Sequence, residues 1–446
     1  MSGKIFPFNR KPVTDIGIDK TLENISEAEI KKAIDKVLKN EASARLKIFV
    51  ETCMRCGMCT NSCHHYLAHN NDPTYAPAAK VKQTVWDILN KNGNVSKDDI
   101  KKYARIAFSE CNLCRRCVQF CPFGIDIAYL ISLVRRICCL IGAVPQYIQD
   151  QALSHMQTTN MLWFRQDEWL DTVQWLEDEL RAEIKNARIP LGKKNAEILY
   201  LAHGLEAKYM TGLLTNMAKI MNIAGVDWTM PDTDGWDYTN KAFYAQDSET
   251  MGMVVRRHYE LAFKLNVKKI VMGECGHAFR TGVYEGVRFL GWKDSPIPYI
   301  HGVEFFYELI RYGKIKIAKK IEEPVTVQDP CNIVRYRGLG DMIRYIVKAT
   351  CENFIDINPG YEYNYCCSAG GGMIDAGPPW KMARIEGGKI KAEQIKDTGA
   401  KIVIAPCHTC HKGIEDLNDY YKLGVHVKFL TDIIAEVIEI PEEMKP

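Results

Sequence analysis

Two cysteine runs in the first third of the chain have a spacing that suits iron–sulfur chemistry. Both follow C-x2-C-x2-C-x3-C, in which three thiolates bind one four-iron cluster and the fourth binds the second cluster of a two-cluster protein. The first run begins at Cys53 and the second at Cys111. The spacing therefore predicts two cubane [4Fe-4S] clusters, one bound by Cys53, Cys56, Cys59 and Cys121 and the other by Cys111, Cys114, Cys117 and Cys63.

Five further cysteines lie in three short motifs of the C-terminal third. Cys331 follows Asp-Pro, Cys366 and Cys367 are adjacent and precede Ser-Ala-Gly-Gly-Gly, and Cys407-His-Thr-Cys410 is a C-x-x-C pair. The side chains of adjacent residues splay apart, so a vicinal pair fits one cubane poorly, whereas a larger or irregular cluster can use both sulfurs. A structural zinc site at the C-x-x-C pair is the alternative, but zinc takes four ligands and has no need of a vicinal pair.

The three motifs resemble the CCG domain of heterodisulfide reductase-type proteins, in which a cysteine, a Cys-Cys-Gly and a C-x-x-C hold a noncubane four-iron cluster. Ser368 stands where the family motif has its glycine. Covalent haem at the C-x-x-C-H sequence that ends at His411 is disfavoured, because the resemblance assigns those cysteines to the cluster and haem attachment normally requires export. The resemblance implies that the ligands of the noncubane [4Fe-4S] cluster are Cys331, Cys366, Cys367, Cys407 and Cys410.

Residues 45–440 as a whole resemble the iron–sulfur subunits related to the D-type subunit of heterodisulfide reductase, including those of sulfate-reducing organisms. The resemblance is carried by residues 51–57, by Glu-Cys-Gly-His at 274–277 and by residues 366–372. It implies a cytoplasmic subunit, peripheral on the inner face of the cell membrane, whose partners are an integral membrane subunit linked to quinone or haem and other redox subunits. It also implies an oxidoreductase in which electrons pass through two cubane clusters to the noncubane cluster, which reduces a disulfide or trisulfide of a small protein or small molecule.

Two other functions fit the same layout. In the first, the C-terminal cluster only relays electrons between protein partners and binds no substrate. In the second, the chain is the iron–sulfur subunit of a lactate, glycolate or glycerol-3-phosphate oxidoreductase, and a separate flavoprotein oxidises the hydroxy acid. Disulfide-dependent oxidation of the reduced protein would separate the main hypothesis from the first alternative, and copurifying flavin would indicate the second.

Cys275 and three histidines are candidates for chemistry beside the proposed C-terminal cluster. Cys275 could serve as a thiol near the cluster and His277 as a proton donor, because imidazole titrates near neutral pH. His408 and His411 flank Cys410 and could hydrogen-bond to cluster sulfur or carry protons. The alternative is that Cys275 is a leftover thiol, that His277 caps a helix or lies at the surface, and that the other two histidines only support the cluster-binding segment.

Composition narrows the class of protein. The 446 residues are 47% hydrophobic and carry a formal net charge of +3, too little for a dedicated nucleic-acid binder. Seventeen cysteines behind a polar N-terminus favour reduced thiols and metal ligands in the cytoplasm over disulfides. The longest apolar stretch, residues 125–144, is interrupted by Arg135 and Arg136, so we expect no transmembrane helix.

Helices and strands must bring these cysteines together. Apolar runs alternate with helical segments after residue 195, which indicates an α/β domain. We expect strands over 197–202, 268–272, 325–328 and 401–405, and helices over 26–49, 78–92, 97–108, 125–141 and 146–188.

The predicted fold is an N-terminal helical two-cluster ferredoxin-like module followed by a pseudo-duplicated α/β CCG domain. Residues 1–44 would form an arm and a helix, 45–145 the ferredoxin-like module, and 146–194 a helical connector. Residues 195–323 would form a first CCG-type half that has lost its ligands, and 324–446 a second half that binds the noncubane cluster. In the first half, only Cys275 would remain of the ligand set.

Overall fold

The computed structural model describes residues 15–446, and the first part of the chain is helical. Two of its helices begin with capping boxes, in which Ser26 is bonded to Glu29 and Ser96 to Asp99. Most of the predicted N-terminal arm lies outside the described residues. The helices of this module are α1 (Ile16–Asn24), α2 (Glu27–Asp35), α3 (Ser43–Thr52), α4 (His64–Ala68), α5 (Pro77–Lys82), α6 (Val85–Asn90), α7 (Lys97–Ser109), α8 (Arg116–Gln119) and α9 (Ile127–Leu140).

Several helices differ from the predictions. Helix α1 replaces the last part of the expected arm, because Asp15 accepts hydrogen bonds from the amides of Gly17 and Ile18 and caps it. The helix expected over 26–49 is divided by a π-helical turn before α3. The helix expected over 78–92 is divided at Thr84, whose hydroxyl donates to the Lys80 carbonyl at 2.7 Å and so competes with the helical ladder.

The connector consists of two helices, α10 (Gln146–Thr158) and α11 (Gln166–Glu183), where one long helix was predicted. Thr159 takes a positive φ of 62°. The Asn160 side-chain oxygen then accepts hydrogen bonds from the amides of Leu162 and Phe164, both at 3.0 Å. This local turn satisfies the backbone outside a helix and therefore ends α10.

A parallel sheet in the order β2-β1-β3-β4 follows the connector. Its strands are short and almost entirely buried, as expected for a parallel sheet covered by helices. The elements are β1 (Ile198–Leu201), β2 (Trp228–Thr229), β3 (Lys269–Met272) and β4 (Tyr299–His301), with α12 (Thr211–Ile223), α13 (Ala242–Ala245), α14 (Ser248–Leu265), α15 (Gly276–Arg280), α16 (Gly286–Phe289) and α17 (Gly302–Arg311).

A second parallel sheet, in the order β5-β6-β7, completes the chain. The registers pair Val325 with Ile402 and Ile402 with His426. The four strands predicted from the sequence are confirmed as β1, β3, β5 and β6. The new elements are β5 (Val325–Val327), β6 (Ile402–Ile404) and β7 (His426–Lys428), with α18 (Cys331–Arg337), α19 (Gly340–Thr350), α20 (Lys381–Gly387), α21 (Lys389–Thr398), α22 (His408–Tyr421) and α23 (Leu430–Val437).

Two hydrophobic cores hold the described part of the chain. One lies mainly in the helical module and also takes in Trp380, which donates from its indole nitrogen to Asp15 at 2.9 Å. The other is continuous across both parallel sheets, which therefore form one α/β unit. Within residues 15–446, we find no helix with the length and apolar character that crossing a membrane requires.

Candidate iron–sulfur centres

The first four predicted cubane ligands surround one small cavity near the surface. Its lining includes the four thiols, and Ile125 donates its amide to the Cys121 sulfur at 3.3 Å. Cys56 is exposed, as are the neighbouring side chains of Met54 and Phe123. The structure therefore brings to the protein surface the group assigned to one cluster from the spacing, namely Cys53, Cys56, Cys59 and Cys121.

The other four predicted cubane ligands line a second cavity, and none of these four thiols is exposed. Lys80 is buried beside them, and its ammonium donates to the Cys63 sulfur at 3.4 Å and to the Glu110 carbonyl. Arg135 is also buried and donates to the Cys111 carbonyl at 2.8 Å. Both cations would offset the negative charge of a thiolate-bound cluster. The thiols that share this cavity are Cys63, Cys111, Cys114 and Cys117.

The five C-terminal thiols lie in a continuous row of sulfur contacts. Within it, the side chain of Cys366 interacts with those of Cys331 and Cys367, Cys367 with Cys410, and Cys410 with Cys407. The row extends further, because Cys366 also interacts with Cys114 of the second cavity and Cys407 with Cys275. We call these seven residues the thiol row: Cys114, Cys331, Cys366, Cys367, Cys410, Cys407 and Cys275.

Buried polar contacts fix the segments that carry the row. Asp329 accepts two hydrogen bonds from Arg344, at 2.7 and 2.9 Å, and a third from the Tyr361 amide at 2.6 Å. Asp329 and Arg344 are almost fully buried, so their ion pair holds the turn before Cys331 in place. Lys391, also buried, donates to Asn364 at 2.6 Å just before the vicinal cysteines. Burial lowers the pKa of Lys391 to about 7, while nearby carboxyl and thiol groups act to raise it.

The glycine-rich loop after the vicinal cysteines packs directly on the second cysteine run. Asn112 donates from its side chain to the carbonyls of Ser368 and Gly370, both at 2.9 Å. Arg135 donates to the Gly371 carbonyl. A Cβ atom at Gly371 would lie 2.5 Å from the Asn112 carbonyl oxygen, so the glycine permits this close approach.

Cys275 and His277 lie together at the end of the thiol row. The sulfur of Cys275 is 3.1 Å from Nδ1 of His277, and the Tyr244 hydroxyl is 2.8 Å from the same nitrogen. Burial lowers the pKa of His277 well below its usual value, with Lys241 acting in the same direction, so the ring is uncharged. The near-neutral titration expected for His277 from the sequence is therefore wrong, since a buried imidazole disfavours its charged form.

The two histidines around Cys410 contact the fold that surrounds the row. His408 Nδ1 donates to the Glu274 carbonyl at 2.8 Å, and its ring stacks on His203 at 3.9 Å. Burial acts to lower the pKa of His408, but the Glu206 carboxylate 3.3 Å away outweighs it and raises the pKa. His411 Nε2 donates to the Val427 carbonyl at 3.1 Å, and burial lowers its pKa to about 4.

Sequence reasoning missed the buried lysines and Tyr244. Lys80 and Lys391 occur in ordinary helical segments, where a lysine is normally solvated, so no signal distinguished them. Asn112 was also missed, although its position inside a C-x-x-C pair was a usable signal for contact near a cluster. Arg135 was noticed only as an interruption of an apolar stretch, which is also how a buried charged residue appears in a sequence.

The donor sets suit four-iron clusters. Each cavity of the helical module presents four thiols, and the C-terminal motifs present five thiols in one row of neighbours, which is the soft ligand chemistry that iron–sulfur clusters use. Among residues 15–446, no group of three or more His, Cys, Asp or Glu side chains is arranged to hold a single metal ion.

Two segments of the chain match known domain families. Residues 49–125 match the family described as the 4Fe-4S dicluster domain. Residues 325–415 match the family described as the CCG cysteine-rich domain. The first match contains both cysteine runs, and the second contains all five C-terminal cysteines.

Curated relatives align along most of the chain. The Hdr-like menaquinol oxidoreductase iron-sulfur subunit 2 of Archaeoglobus fulgidus is 25% identical over 91% of this chain and 82% of its own length. The D-type subunit of the dihydromethanophenazine:CoB–CoM heterodisulfide reductase of Methanosarcina mazei is 26% identical over 87% of this chain and 94% of its own. The EtfAB:quinone oxidoreductase of Syntrophomonas wolfei is 23% identical over 80% of this chain and 52% of its own length. The similarity thus extends beyond either single domain.

Proposed function

We propose that this chain is the iron–sulfur subunit of a membrane-associated redox complex. It resembles the D-type subunit of heterodisulfide reductase and has a 4Fe-4S dicluster domain and a CCG domain. In this proposal it is a cytoplasmic protein, held at the inner face of the membrane by an integral membrane partner linked to quinone or haem. The name of the Archaeoglobus relative, a menaquinol oxidoreductase subunit, supports that attachment. The activity we assign to it is reduction of a disulfide or trisulfide at the CCG cysteines.

The observation that carries this proposal is the thiol row. Cys114 belongs to the second cavity of the helical module, and its contact with Cys366 joins that cavity to the CCG cysteines without an intervening residue. A cluster bound at each site would therefore lie beside the next. The exposed Cys56 supports electron entry at the first cavity, because it is the thiol of that group that solvent and partners can approach.

The reaction we propose takes up two electrons and two protons and converts one disulfide into two thiols. When bound, two cubane clusters and one noncubane four-iron cluster would supply one-electron transfer. The ligands of the third cluster would be the five CCG cysteines. We propose that Cys275 and His277 hold one of the protons, shared between Sγ and Nδ1 at the end of the row, with Tyr244 fixing the ring.

His408 and His411 have positioning roles in this proposal. Each donates a hydrogen bond to a backbone carbonyl, His408 to Glu274 and His411 to Val427. These bonds support a function in which the histidines orient the C-x-x-C segment at the start of α22. Neither ring needs to meet the substrate for that purpose.

We also propose that the α/β domain arose by duplication. Strands β1, β3 and β4 are neighbours in one sheet, as β5, β6 and β7 are in the other, and each set is parallel. Cys275 is the residue immediately before the helix after β3, and Cys407 is the residue immediately before the helix after β6. This correspondence supports a first half that keeps the fold and a single cysteine of its ligand set.

A relay function is the second candidate, and it is favoured by burial. Cys366, Cys367, Cys407 and Cys410 are at most 4% exposed, so these four thiols present almost no surface to a substrate in this conformation. A relay would need contact only between redox partners. Oxidation of the pre-reduced protein by disulfides separates the two functions, because a relay without a substrate site would not react.

The test uses anaerobically prepared protein and its Cys367→Ala variant. We expect about twelve irons per chain in the wild type, together with an EPR signal in the oxidised state and reoxidation by disulfides. The variant should lack both the EPR signal and the disulfide-dependent reoxidation. The Cys351→Ala variant is a matched control, because Cys351 is buried in the same core but is not part of the thiol row. About eight irons in the wild type, unchanged by Cys367→Ala, would refute a third cluster.

A further inference from the structure

A pocket of about 260 Å³ with a mainly apolar lining lies beside the first group of predicted cluster ligands. Helices α3, α5, α6 and α9 contribute to it, and Cys53 of the predicted ligands is part of the lining. Two other lining residues, Arg55 and Lys82, are exposed, so the pocket reaches the protein surface. We call this feature the anchor pocket; its apolar wall includes Phe49, Ala79, Val81, Trp86 and Leu130.

The anchor pocket adjoins the cavity of the first four thiols. The two cavities share five lining residues, namely Cys53, Arg55, Ala78, Ile125 and Ile127. The thiol cavity is also lined by Met54 and Phe123, whose exposed fractions of 70% and 49% are high for apolar side chains. Pocket and exposed side chains thus form one apolar surface around a predicted cluster, and such a surface marks an interaction site.

The charged side chains of the anchor pocket are all positive. They belong to Arg55 and Lys82, and no aspartate or glutamate is found among the described residues that line the pocket. Neither cation forms an ion pair with another described residue. The guanidinium carbon of Arg55 lies 5.2 Å from the centroid of the Trp86 ring, which positions this cation at the pocket. An occupant with carboxylates beside an apolar group would complement both parts of the site.

The anchor pocket suits a side chain of a partner protein better than a lipid surface. Protein interfaces concentrate their binding energy in aromatic or aliphatic anchors that fill a pocket and are surrounded by polar contacts. An anionic membrane is instead attracted by a cluster of about four to eight basic residues. Only two unpaired cations line the described pocket, and Lys47 on the neighbouring α3 already lies 4.0 Å from Glu51.

We propose that the anchor pocket receives an apolar side chain, flanked by carboxylates, from the redox protein that exchanges electrons with the first cluster. Docking there would place the partner against the loop that carries Cys53 and the exposed Cys56. The existence of this redox partner rests on the proposed function. Binding of an acidic segment with an apolar anchor depends only on the pocket.

Short peptides serve as probes of the anchor pocket. The test peptide is acetyl-Glu-Leu-Phe-Glu-amide, and its uncharged and polar controls are acetyl-Gln-Leu-Phe-Gln-amide and acetyl-Glu-Ser-Ser-Glu-amide. Saturation-transfer NMR at low ionic strength measures their binding to the full-length, cluster-loaded protein. Broadening of the peptide ring-proton signals on reduction of the protein measures proximity to the first cluster. The variants are Ala79→Phe, which fills the pocket, Lys82→Gln, and Lys314→Gln as a matched control at an exposed lysine outside the pocket.

We expect the test peptide to bind more tightly than either control peptide and its ring-proton signals to broaden on reduction. Lys82→Gln should raise the Kd about threefold, which is the effect of losing one exposed ion pair. Ala79→Phe should abolish binding while the iron content is retained. The Lys314→Gln control should bind the peptide as the wild type does.

Peptide binding that is absent, or that neither Ala79→Phe nor Lys82→Gln weakens, would overturn the proposal. Cosedimentation with phosphatidylglycerol vesicles that depends on Lys82, without peptide binding, would overturn it in favour of a membrane surface. Binding without ring-proton broadening would support the pocket and refute a cluster at Cys53. Peptide binding by a protein that reduces no disulfide would support the docking site and refute the reductase function.

Discussion

Buried cations beside thiols are the most informative residues of the structure. Lys80 contacts the Cys63 sulfur at 3.4 Å in the second cavity, whereas the cation that lines the first cavity is the exposed Arg55. A positive charge held at this distance favours the more negative, reduced state of a bound cluster, since little solvent screens it. Lys80 should therefore raise the reduction potential of the second cluster.

The Lys80→Met variant tests this role. We expect the reduction potential of the cluster in the second cavity to fall, while that of the first cluster changes little, as measured by EPR-monitored redox titration. Lys82→Met is the control, because Lys82 lies on the same helix, α5, and is exposed. Equal shifts in the two variants would contradict a specific role for Lys80.

Glu274 gives the stability of the fold a defined pH dependence. Burial raises the pKa of its carboxyl from 4.5 to about 7, although hydrogen bonds from Thr431 and Leu430 act to lower it. The folded protein thus holds this proton more tightly than the unfolded chain. The resulting stability is complete below about pH 4.5 and is lost as the pH rises towards 7.

The Glu274→Gln variant should remove this contribution. The shift in the Glu274 pKa corresponds to about 3 kcal/mol of unfolding free energy between pH 4.5 and 7. The difference in unfolding free energy between wild type and variant should therefore change by about this amount over that pH range. Thermal or denaturant unfolding followed by circular dichroism measures it. A difference that does not vary with pH would show that Glu274 titrates normally in the folded protein.

At the scale of elements, the glycine-rich loop and the second cysteine run depend on each other. Gly371 has a φ of 62°, and a Cβ there would meet the Asn112 backbone. We expect Gly371→Ala to destabilise the protein by at least about 1 kcal/mol from the left-handed conformation alone, with a further cost from the steric clash. Thermal unfolding, together with the EPR signal of the third cluster, measures the effect.

Gly212 provides the matched control for that substitution. It lies in helix α12, its φ is not positive, and a Cβ there meets no described atom within 4 Å. Gly212→Ala should be neutral or stabilising, since alanine restricts the unfolded chain more than glycine does. Similar destabilisation by both alanines would show that the close approach at Gly371 does not hold the two elements together.

At the scale of the whole molecule, the three proposed centres differ in their exposure. The first has the exposed Cys56 beside the exposed Met54, the thiols of the second are half-buried beside the buried Lys80, and the CCG thiols are buried with one intermediate exception, Cys331. This gradient of exposure runs from the surface of the helical module to the α/β core. Under the proposed function, electrons that enter from a partner at the exposed centre would meet the three centres in this order.

Exposure also predicts the order in which metal is lost. With a chelator under mild oxidation, iron should fall from about twelve to about eight per chain first, through loss of the cluster at Cys53, Cys56, Cys59 and Cys121. Iron analysis with EPR measures this, because the signals of the other two clusters should persist at that stage. Earlier loss of the third cluster would contradict the buried position of its thiols.

The sequence by itself was enough to predict the four buried strands, the grouping of the cysteines by spacing and the resemblance to the CCG domain. Those features are local, since ligand spacing and apolar runs are read over short stretches of chain. The sequence predicted the long helices less well. The side chains of Thr84 and Asn160 form hydrogen bonds with nearby backbone groups and end helices that the apolar periodicity of the sequence continues.

Only the tertiary structure decided how the two halves of the chain meet. The interaction of Cys114 with Cys366 and the burial of Lys80 beside Cys63 depend on residues far apart in sequence, and no local pattern encodes such contacts. They depend on the packing of the helical module against the α/β domain, where desolvation makes each unpaired charge costly and each pairing specific. The cysteine spacing determined which thiols are available, and packing decided which of them touch.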